Sequence, residues 1–184
     1  NTALQHSCHL KKLISELFEL STLENQNAEL HFEPFSMSEL LQDVTQQFEL
    51  KASQKQIDIS AQIPQQSAFV SADISLIQRL LENLIENAIK YTPRGGHVNI
   101  SLLAEDNRVT TRISDSGVGI SKTDLPFIFD RFYRADKQRQ TEGTGLGLAI
   151  AKRIIQLHHS NIDISSIPQH GTTFSFELPF ATEM

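Results

Sequence analysis

Ile74-Ser75-Leu76-Ile77-Gln78-Arg79-Leu80-Leu81-Glu82-Asn83-Leu84-Ile85-Glu86-Asn87-Ala88-Ile89-Lys90-Tyr91 decides how the rest of the 184 residues are read. At about 100° per residue, Ile74, Ile77, Leu81, Leu84, Ile85 and Ala88 share one face of a helix. Asn83, Asn87 and Lys90 fall nearly opposite. Asp73 is placed to cap the start, and Pro93 with Gly95-Gly96 ends it. Asparagine is a mediocre helix former because its amide competes for backbone groups, so two at i, i+4 need a reason. A solvated polar stripe is one. A metal and phosphate site is the other: asparagine carbonyls are neutral oxygen ligands, and Mg2+ takes one or two protein oxygens beside phosphates and waters. Lys90, one turn on, can neutralise phosphate charge.

Upstream, Leu10, Leu13, Leu17, Leu20 and Leu23 recur at spacings of three and four with Ile14 and Phe18 beside them, an amphipathic helix from about Leu4 to Asn25. It reads as one arm of a helix pair or as a helix packed on its own domain. Ser38 to Lys51 predicts a second helix, and Ile57 to Ala61 and Ala68 to Val70 predict strands. Downstream, His97 to Leu103 and Arg108 to Ser114 alternate around a hairpin, Leu146 to His159 is helical, and Ile162 to Ile167 and Thr173 to Leu178 form a second hairpin about His170-Gly171. The sum is an α+β chain: a mostly antiparallel mixed sheet packed on about three helices, preceded by one long helix.

Two glycine-rich segments flank the aperiodic stretch from Ser121 to Glu142. Asp115-Ser116-Gly117-Val118-Gly119-Ile120 follows a strand. An ionised Asp only accepts hydrogen bonds, which suits the exocyclic amine of adenine, and Gly117 and Gly119 clear space for a base. Gly143-Thr144-Gly145-Leu146-Gly147-Leu148 opens a helix, where bared backbone N–H groups make an anion site. No Gly-Lys-Ser/Thr follows, so it is not a Walker loop, and no strand leads in, so it is not a dinucleotide fingerprint. Taken in order, the segments supply metal ligands, a base acceptor and a phosphate cradle, the parts needed to hold a nucleoside triphosphate.

Composition agrees with a soluble globular domain. The net charge is −6, and no basic stripe of the kind a nucleic-acid binder carries is visible. Cys8 is the only cysteine, so no intramolecular disulfide forms. No apolar run approaches the roughly 20 residues that cross a bilayer. The start at Asn1-Thr2 suggests a piece of a longer protein.

Asn83-Leu84-Ile85-Glu86-Asn87-Ala88-Ile89-Lys90-Tyr91-Thr92-Pro93 resembles the N box of bacterial sensor histidine kinases. Asp115 to Gly119 resembles their G1 box, Phe129-Asp130-Arg131-Phe132-Tyr133-Arg134 their F box, Gly143 to Leu148 their G2 box, and Gly171-Thr172-Thr173-Phe174 their closing glycine motif. The order is the family's, and the resemblance covers Phe35 to Phe180. Glu16-Leu17-Phe18-Glu19-Leu20-Ser21 resembles the second helix of the family's dimerisation hairpin.

The resemblance implies a two-layer sandwich of Bergerat type over residues 35–184, a partial dimerisation and phosphoacceptor hairpin over 1–28, and an ATP lid at about 121–142. It implies ATP as substrate with Mg2+, the metal meeting Asn87 and Asn83. Lys90 would touch phosphates, Tyr91 would face the adenine, and Asp115 would read its amine. Gly117, Gly119 and Ile120 would border the base, with Thr172 in the closing motif, and Thr144, Gly145, Leu146, Gly147 and Leu148 would hold the phosphate tail. The lid aromatics Phe127, Phe129, Phe132 and Tyr133 are expected to dock on the hairpin helices, with packing on the sheet edge as the other reading. Arg131 or Arg134 would stabilise the transferring phosphoryl group; the spacing favours neither, and Arg134 is taken with Lys90 as the catalytic pair.

Partners implied are a response regulator receiver domain, the protein's own dimerisation and phosphoacceptor domain, and a second copy in a homodimer, with no nucleic acid. The domain is expected in the cytoplasm, on a parent protein in the bacterial inner membrane. In the family the acceptor histidine is normally followed by an acidic residue. His6 precedes Ser7 and His9 precedes Leu10, so both read as helix-surface residues and the acceptor is expected upstream of Asn1. Related hydrolases place a water-activating Glu four residues before the metal-binding Asn, where this chain has Asn83. Glu82 and Glu86 turn away from Asn87 by about 100° or more on the helical wheel. A fold-related Ser/Thr kinase that restrains a sigma factor and a nucleotide-sensing module without chemistry are further alternatives.

Overall fold

The computed structural model describes residues 2–25, 29–64, 68–105, 107–134 and 143–181. Helix α1 (Thr2–Glu24) leads into strand β1 (Glu33–Ser36), helix α2 (Met37–Gln54), strands β2 (Asp58–Gln62) and β3 (Phe69–Ala72), and helix α3 (Ile74–Tyr91). Strands β4 (His97–Glu105) and β5 (Arg108–Asp115), helix α4 (Gly147–Leu157), and strands β6 (Ile162–Ile167) and β7 (Gly171–Pro179) complete the domain. A single 3-10 turn at Leu125–Phe127 lies between β5 and α4. Among the described residues no helix is long and apolar enough to cross a membrane.

The main sheet has the order β2-β4-β5-β7-β6. Only β2 and β4 run parallel; the other neighbours are antiparallel. Alternation decides which face is covered. Val98, Ile100 and Leu102 of β4, Val109, Thr111 and Ile113 of β5, and Phe174, Phe176 and Leu178 of β7 are buried, while their neighbours in sequence turn outward, as the period of two requires. The buried face is met by Leu41 and Val44 of α2, Ile77, Leu81, Leu84 and Ile85 of α3, and Ile150, Ile154 and Ile155 of α4. The expected two-layer α+β sandwich is therefore present, with three helices on one face of a mixed sheet.

Helix starts follow local chemistry. Ser36 accepts from the Glu39 N–H at 3.2 Å to cap α2, and Asp73 accepts from the Leu76 N–H at 3.1 Å to cap α3. At the other end of α3, Lys55 Nζ donates to the carbonyls of Ile89 (2.7 Å) and Lys90 (2.5 Å). This supplies a cation where the helix dipole is negative. Burial, with Lys90 nearby, lowers the Lys55 ammonium from its ordinary pKa.

One feature departs from the sequence-based reading. Strand β1 was not expected; it pairs antiparallel with β3, Phe35 opposite Val70, as a small separate sheet. Pro34 in a four-residue edge strand hides it from propensity. Helix α1 packs on its own domain along one face only. Its Leu20 and Leu23 are buried against the domain, while Leu10, Ile14, Leu17 and Phe18 on another face stay exposed.

The segment after α1 is pinned by a buried histidine. His158, at the end of α4, is 5% exposed. Its Nε2 accepts from the Asp73 N–H at 3.1 Å, and its Nδ1 lies 2.8 Å from the Ile154 carbonyl, so the neutral tautomer with Nδ1–H satisfies both. The Phe32 ring lies 5.2 Å from the imidazole, and the His31 N–H donates to Asp73 Oδ2 at 3.1 Å. Burial lowers the His158 pKa, and His159 adds to this, against the raising influence of the Ile154 carbonyl and Asp73. A histidine whose folded pKa is depressed stabilises the fold fully above its unfolded pKa, about 6.5, and loses that contribution as pH falls. Urea unfolding from pH 7.5 down to 5 should show stability declining below about pH 6.5, and His158→Gln should flatten that slope.

Candidate functional site

The polar face of α3 is only partly solvated. Asn83 is only 4% exposed, with α4 packed against α3 and α1 packed in turn against α4. Of the two readings of these asparagines, the solvated stripe gives way, since both line a cavity of the domain. That cavity is lined by Asn83, Asn87, Lys90 and Tyr91 of α3, Asp115 of β5, Gly119 and Ile120 after it, Arg134, Thr144, Gly145, Gly147 and Leu148 around the start of α4, and Thr172 of β7. Two residues expected there stand behind the wall instead. Leu146 is fully buried in the core, so only its backbone serves the start of α4. Gly117 supports Asp115 through its N–H.

Asp115 ends β5, with Val98 and Thr172 as its cross-strand neighbours. Its Oδ1 accepts from the N–H of Gly117 at 2.8 Å and of Thr172 at 3.3 Å. Both bonds fall on one oxygen, so the carboxylate is oriented while its other oxygen keeps acceptor capacity for the cavity. Burial pushes its carboxyl above the ordinary value, against the pull of those two N–H groups. The loop after it is tied down by the Val118 N–H to the Tyr91 carbonyl (3.2 Å) and by the Ile120 N–H to Ser166 Oγ (2.8 Å). Gly119 has φ +66° and backs directly onto the Ile167 carbonyl, where a Cβ has no room.

At the opposite end of the cavity, α4 begins with Gly147. Unlike α2 and α3, it has no side-chain cap; the residue before it is Leu146. Its first N–H groups are thereby available to an anion, in the positive end of the helix dipole. Gly145, with φ +76°, would place a Cβ 2.9 Å from the Phe132 backbone, and the Phe132 N–H donates to the Gly145 carbonyl at 3.0 Å. Lys90 Nζ lies 4.8 Å from the centre of the Tyr91 ring and against Gly143, which brings its charge to this phosphate-sized end.

The metal question turns on Asn83. Its Nδ2 is buried without a hydrogen-bond partner, and a half-turn of the amide exchanges nitrogen and oxygen at the cavity wall. Among the described residues no group of three or more His, Cys, Asp or Glu is placed to hold a metal. A cation here would therefore draw on amide oxygens and on the phosphates of its ligand, a donor set that fits Mg2+.

Several expectations on the lid are refined. Phe129 packs edge-on against Phe174 of β7, with centroids 6.4 Å apart, and Phe127 pairs with Tyr133 at 5.7 Å. Tyr133 Oη donates to Asp124 Oδ1 at 2.8 Å. These rings follow the local-packing reading rather than docking on α1. Arg131 is what reaches α1, through Glu24, whereas Arg134 lines the cavity. Residues 135–142, the polar second half of the expected lid, lie outside the described residues, as does the side chain of His6. His9 is exposed.

Glu86 also borders the cavity, closer than the helical wheel suggested. Lys51 Nζ at 2.6 Å and Lys12 Nζ at 3.3 Å hold its carboxylate. Burial alone would raise its pKa, but the hydrogen bond from Lys51 and the charges of both lysines outweigh it and hold the group below its ordinary value. The sequence reading missed Glu16. This residue of α1 lines the cavity and accepts from Thr144 Oγ1. The signal was present: Glu16 occupies the same helical stripe as buried Leu20 and Leu23, where a carboxylate is out of place.

Comparison with known proteins places this geometry. Residues 72–182 match the family described as histidine kinase-, DNA gyrase B-, and HSP90-like ATPase. The chain is 36% identical over 176 residues to the sensor histidine kinase WalK of Bacillus subtilis, covering 94% of this chain and 29% of that protein. It is 34% identical over 171 residues to the adaptive-response sensory kinase SasA of a Synechocystis species, covering 92% and 45%. The chain thus spans less than half the length of these curated relatives. Among solved structures, full-length ShkA in complex with AMPPNP superposes with a TM-score of 0.87 at 30% identity, over 99% of this chain and 38% of that one. The histidine kinase ThkA in complex with the response regulator protein TrrA gives 0.80 at 27%, over 98% and 50%. Since the family match alone takes in α3, both glycine loops and the sheet between them, the chain belongs to the histidine kinase-, DNA gyrase B-, and HSP90-like ATPases.

Proposed function

We propose that this chain is the ATP-binding kinase core of a sensor histidine kinase. In this reading it presents the γ-phosphoryl group of ATP to a histidine in a segment beyond these residues. That histidine then passes the group to the receiver domain of a response regulator. The observation that carries the reading is the convergence, in one cavity, of the α3 amides, the oriented Asp115 carboxylate and the uncapped N-terminus of α4. The AMPPNP complex of ShkA and the TrrA complex of ThkA support the nucleotide and the partner.

Each residue then has a task. The free oxygen of Asp115 accepts from the adenine amine, and Tyr91 lies along the base. Asn83 and Asn87 are the residues that would hold Mg2+, which when bound neutralises and orients the phosphates. The N–H groups of Gly145, Gly147 and Leu148 receive the phosphate tail. Lys90 and Arg134 stabilise charge on the transferring group. In the transfer, the bond from the γ-phosphorus to the β-bridging oxygen breaks and ADP leaves with that oxygen, a phosphorus–nitrogen bond forms, and the imidazole proton passes to a base beside it in that segment. Glu86 is engaged by two lysines and Glu82 does not line the cavity, so neither carboxylate of α3 is placed to activate water, which disfavours the hydrolase alternative. In the same reading, residues 1–28 belong to the dimerisation hairpin and 35–184 to the catalytic domain. The parent works as a homodimer in the bacterial inner membrane with this part in the cytoplasm.

Three outcomes test this. Calorimetry should show Mg-ATP binding weakened at least about tenfold, about 1.4 kcal/mol, by Asn87→Ala, with thermal unfolding little changed. Asp115→Asn should weaken ATP by a similar factor while affecting inorganic triphosphate little, because it adds a donor where the adenine amine also donates; equal losses for both ligands would remove the base-reading role. Incubated with radiolabelled ATP, the 184-residue chain alone should acquire no acid-labile, base-stable label, and should label a supplied phosphoacceptor hairpin in trans.

A further inference from the structure

The cavity is bordered on one side by α1, and the more buried of the two lining residues that α1 supplies is an acid. Glu16 is 4% exposed, and its Oε2 accepts from Thr144 Oγ1. Thr144 stands at the phosphate end, where its Oγ1 also accepts from the Leu146 N–H at 3.3 Å, just ahead of the uncapped start of α4. The charge on Glu16 is only loosely balanced. Lys12 lies 3.8 Å away but is closer to Glu86, at 3.3 Å, and Arg79 lies 4.0 Å away because its fork is bidentate on Glu19, with both bonds at 2.9 Å. A carboxylate is thus held, under-compensated, at the place where the polyphosphate of the proposed ligand would end.

Resting on the nucleotide reading above, we propose that Glu16 is a specificity-determining residue: with α1 docked, its carboxylate in the phosphate end of the cavity disfavours a nucleoside triphosphate relative to the diphosphate. Like charges in a partly buried site repel far more than in water. The triphosphate brings one further charged group toward the cradle, so it bears the larger share of that repulsion. By linkage, the same factor applies in reverse: a bound triphosphate loosens α1 from the domain more than a bound diphosphate does.

The test compares Mg-ATP and Mg-ADP by calorimetry on the whole chain. Glu16→Gln keeps the shape and an oxygen for Thr144 but removes the charge. It should tighten ATP about three- to tenfold and ADP by less, raising the ATP-to-ADP preference. Glu24→Gln, which removes an acid of α1 that does not line the cavity and pairs with Arg131 rather than with the cations about Glu16, should leave that preference unchanged. A Glu16→Gln chain that binds ATP no more tightly, or that shifts both nucleotides equally, overturns the proposal while leaving the nucleotide site intact. A parent chain that binds neither nucleotide sinks the underlying reading as well. A second measurement does not depend on that variant. Cys8, exposed on α1 and the only cysteine, and an added Ser60→Cys carry spin labels. Their distance distribution should broaden more with Mg-ATP than with Mg-ADP, and equal broadening overturns the proposal.

Discussion

An α-helix enclosed on both flanks can keep an amide side chain only where that amide has a partner or a cavity. Helix α3 meets this constraint directly. Its apolar residues press on the sheet, α4 packs beside it and α1 packs on α4, so Asn83 is buried with a nitrogen that no protein group satisfies. The rest of the site is arranged about that face. Lys55 holds the last carbonyls of α3, the Tyr91 carbonyl receives the loop after β5, and Gly147 brings the start of α4 close enough that a Cβ there would lie 3.2 Å from Asn83 Oδ1. Take away α4 with α1 behind it and Asn83 becomes an ordinary surface residue.

That dependence explains what was readable in the chain and what was not. The strands of the main sheet carry strict alternation, Asp73 is a strong cap, and Gly143 to Leu148 announces a helix start, so the architecture and most of the cavity wall follow from local pattern. Periodicity tells which residues share a face but not how many layers meet it. The burial of Asn83 and the entry of Glu16 are contacts between segments far apart in sequence, 128 residues in the case of Glu16 and Thr144, and no local rule reports them. The choice between Arg131 and Arg134 was open for the same reason: three residues apart, one turns to Glu24 and the other to the cavity. Strand β1 was lost because a proline in four residues outweighs pairing that only β3 supplies.

Helix α1 has two unlike sides. One docks through Leu20, Leu23 and a run of acids meeting Arg79, Arg131 and Thr144; Arg153 adds a bond to the Leu23 carbonyl at 2.9 Å. Most of these polar contacts are partly solvated and individually weak, so the docking is held by few strong terms and is open to displacement. The other side leaves Leu10, Ile14, Leu17 and Phe18 uncovered.

Asp115 sits at one tip of the β4–β5 pair, and the turn joining the two strands lies at the other, seven residues from Asp115 along β5 and roughly 23 Å away at strand rise. Every bond that orients the carboxylate is made at the near tip. The distal turn is therefore mechanically idle with respect to the nucleotide, and a peptide tag or a small inserted module could be spliced there while the grip on adenine stays as it is.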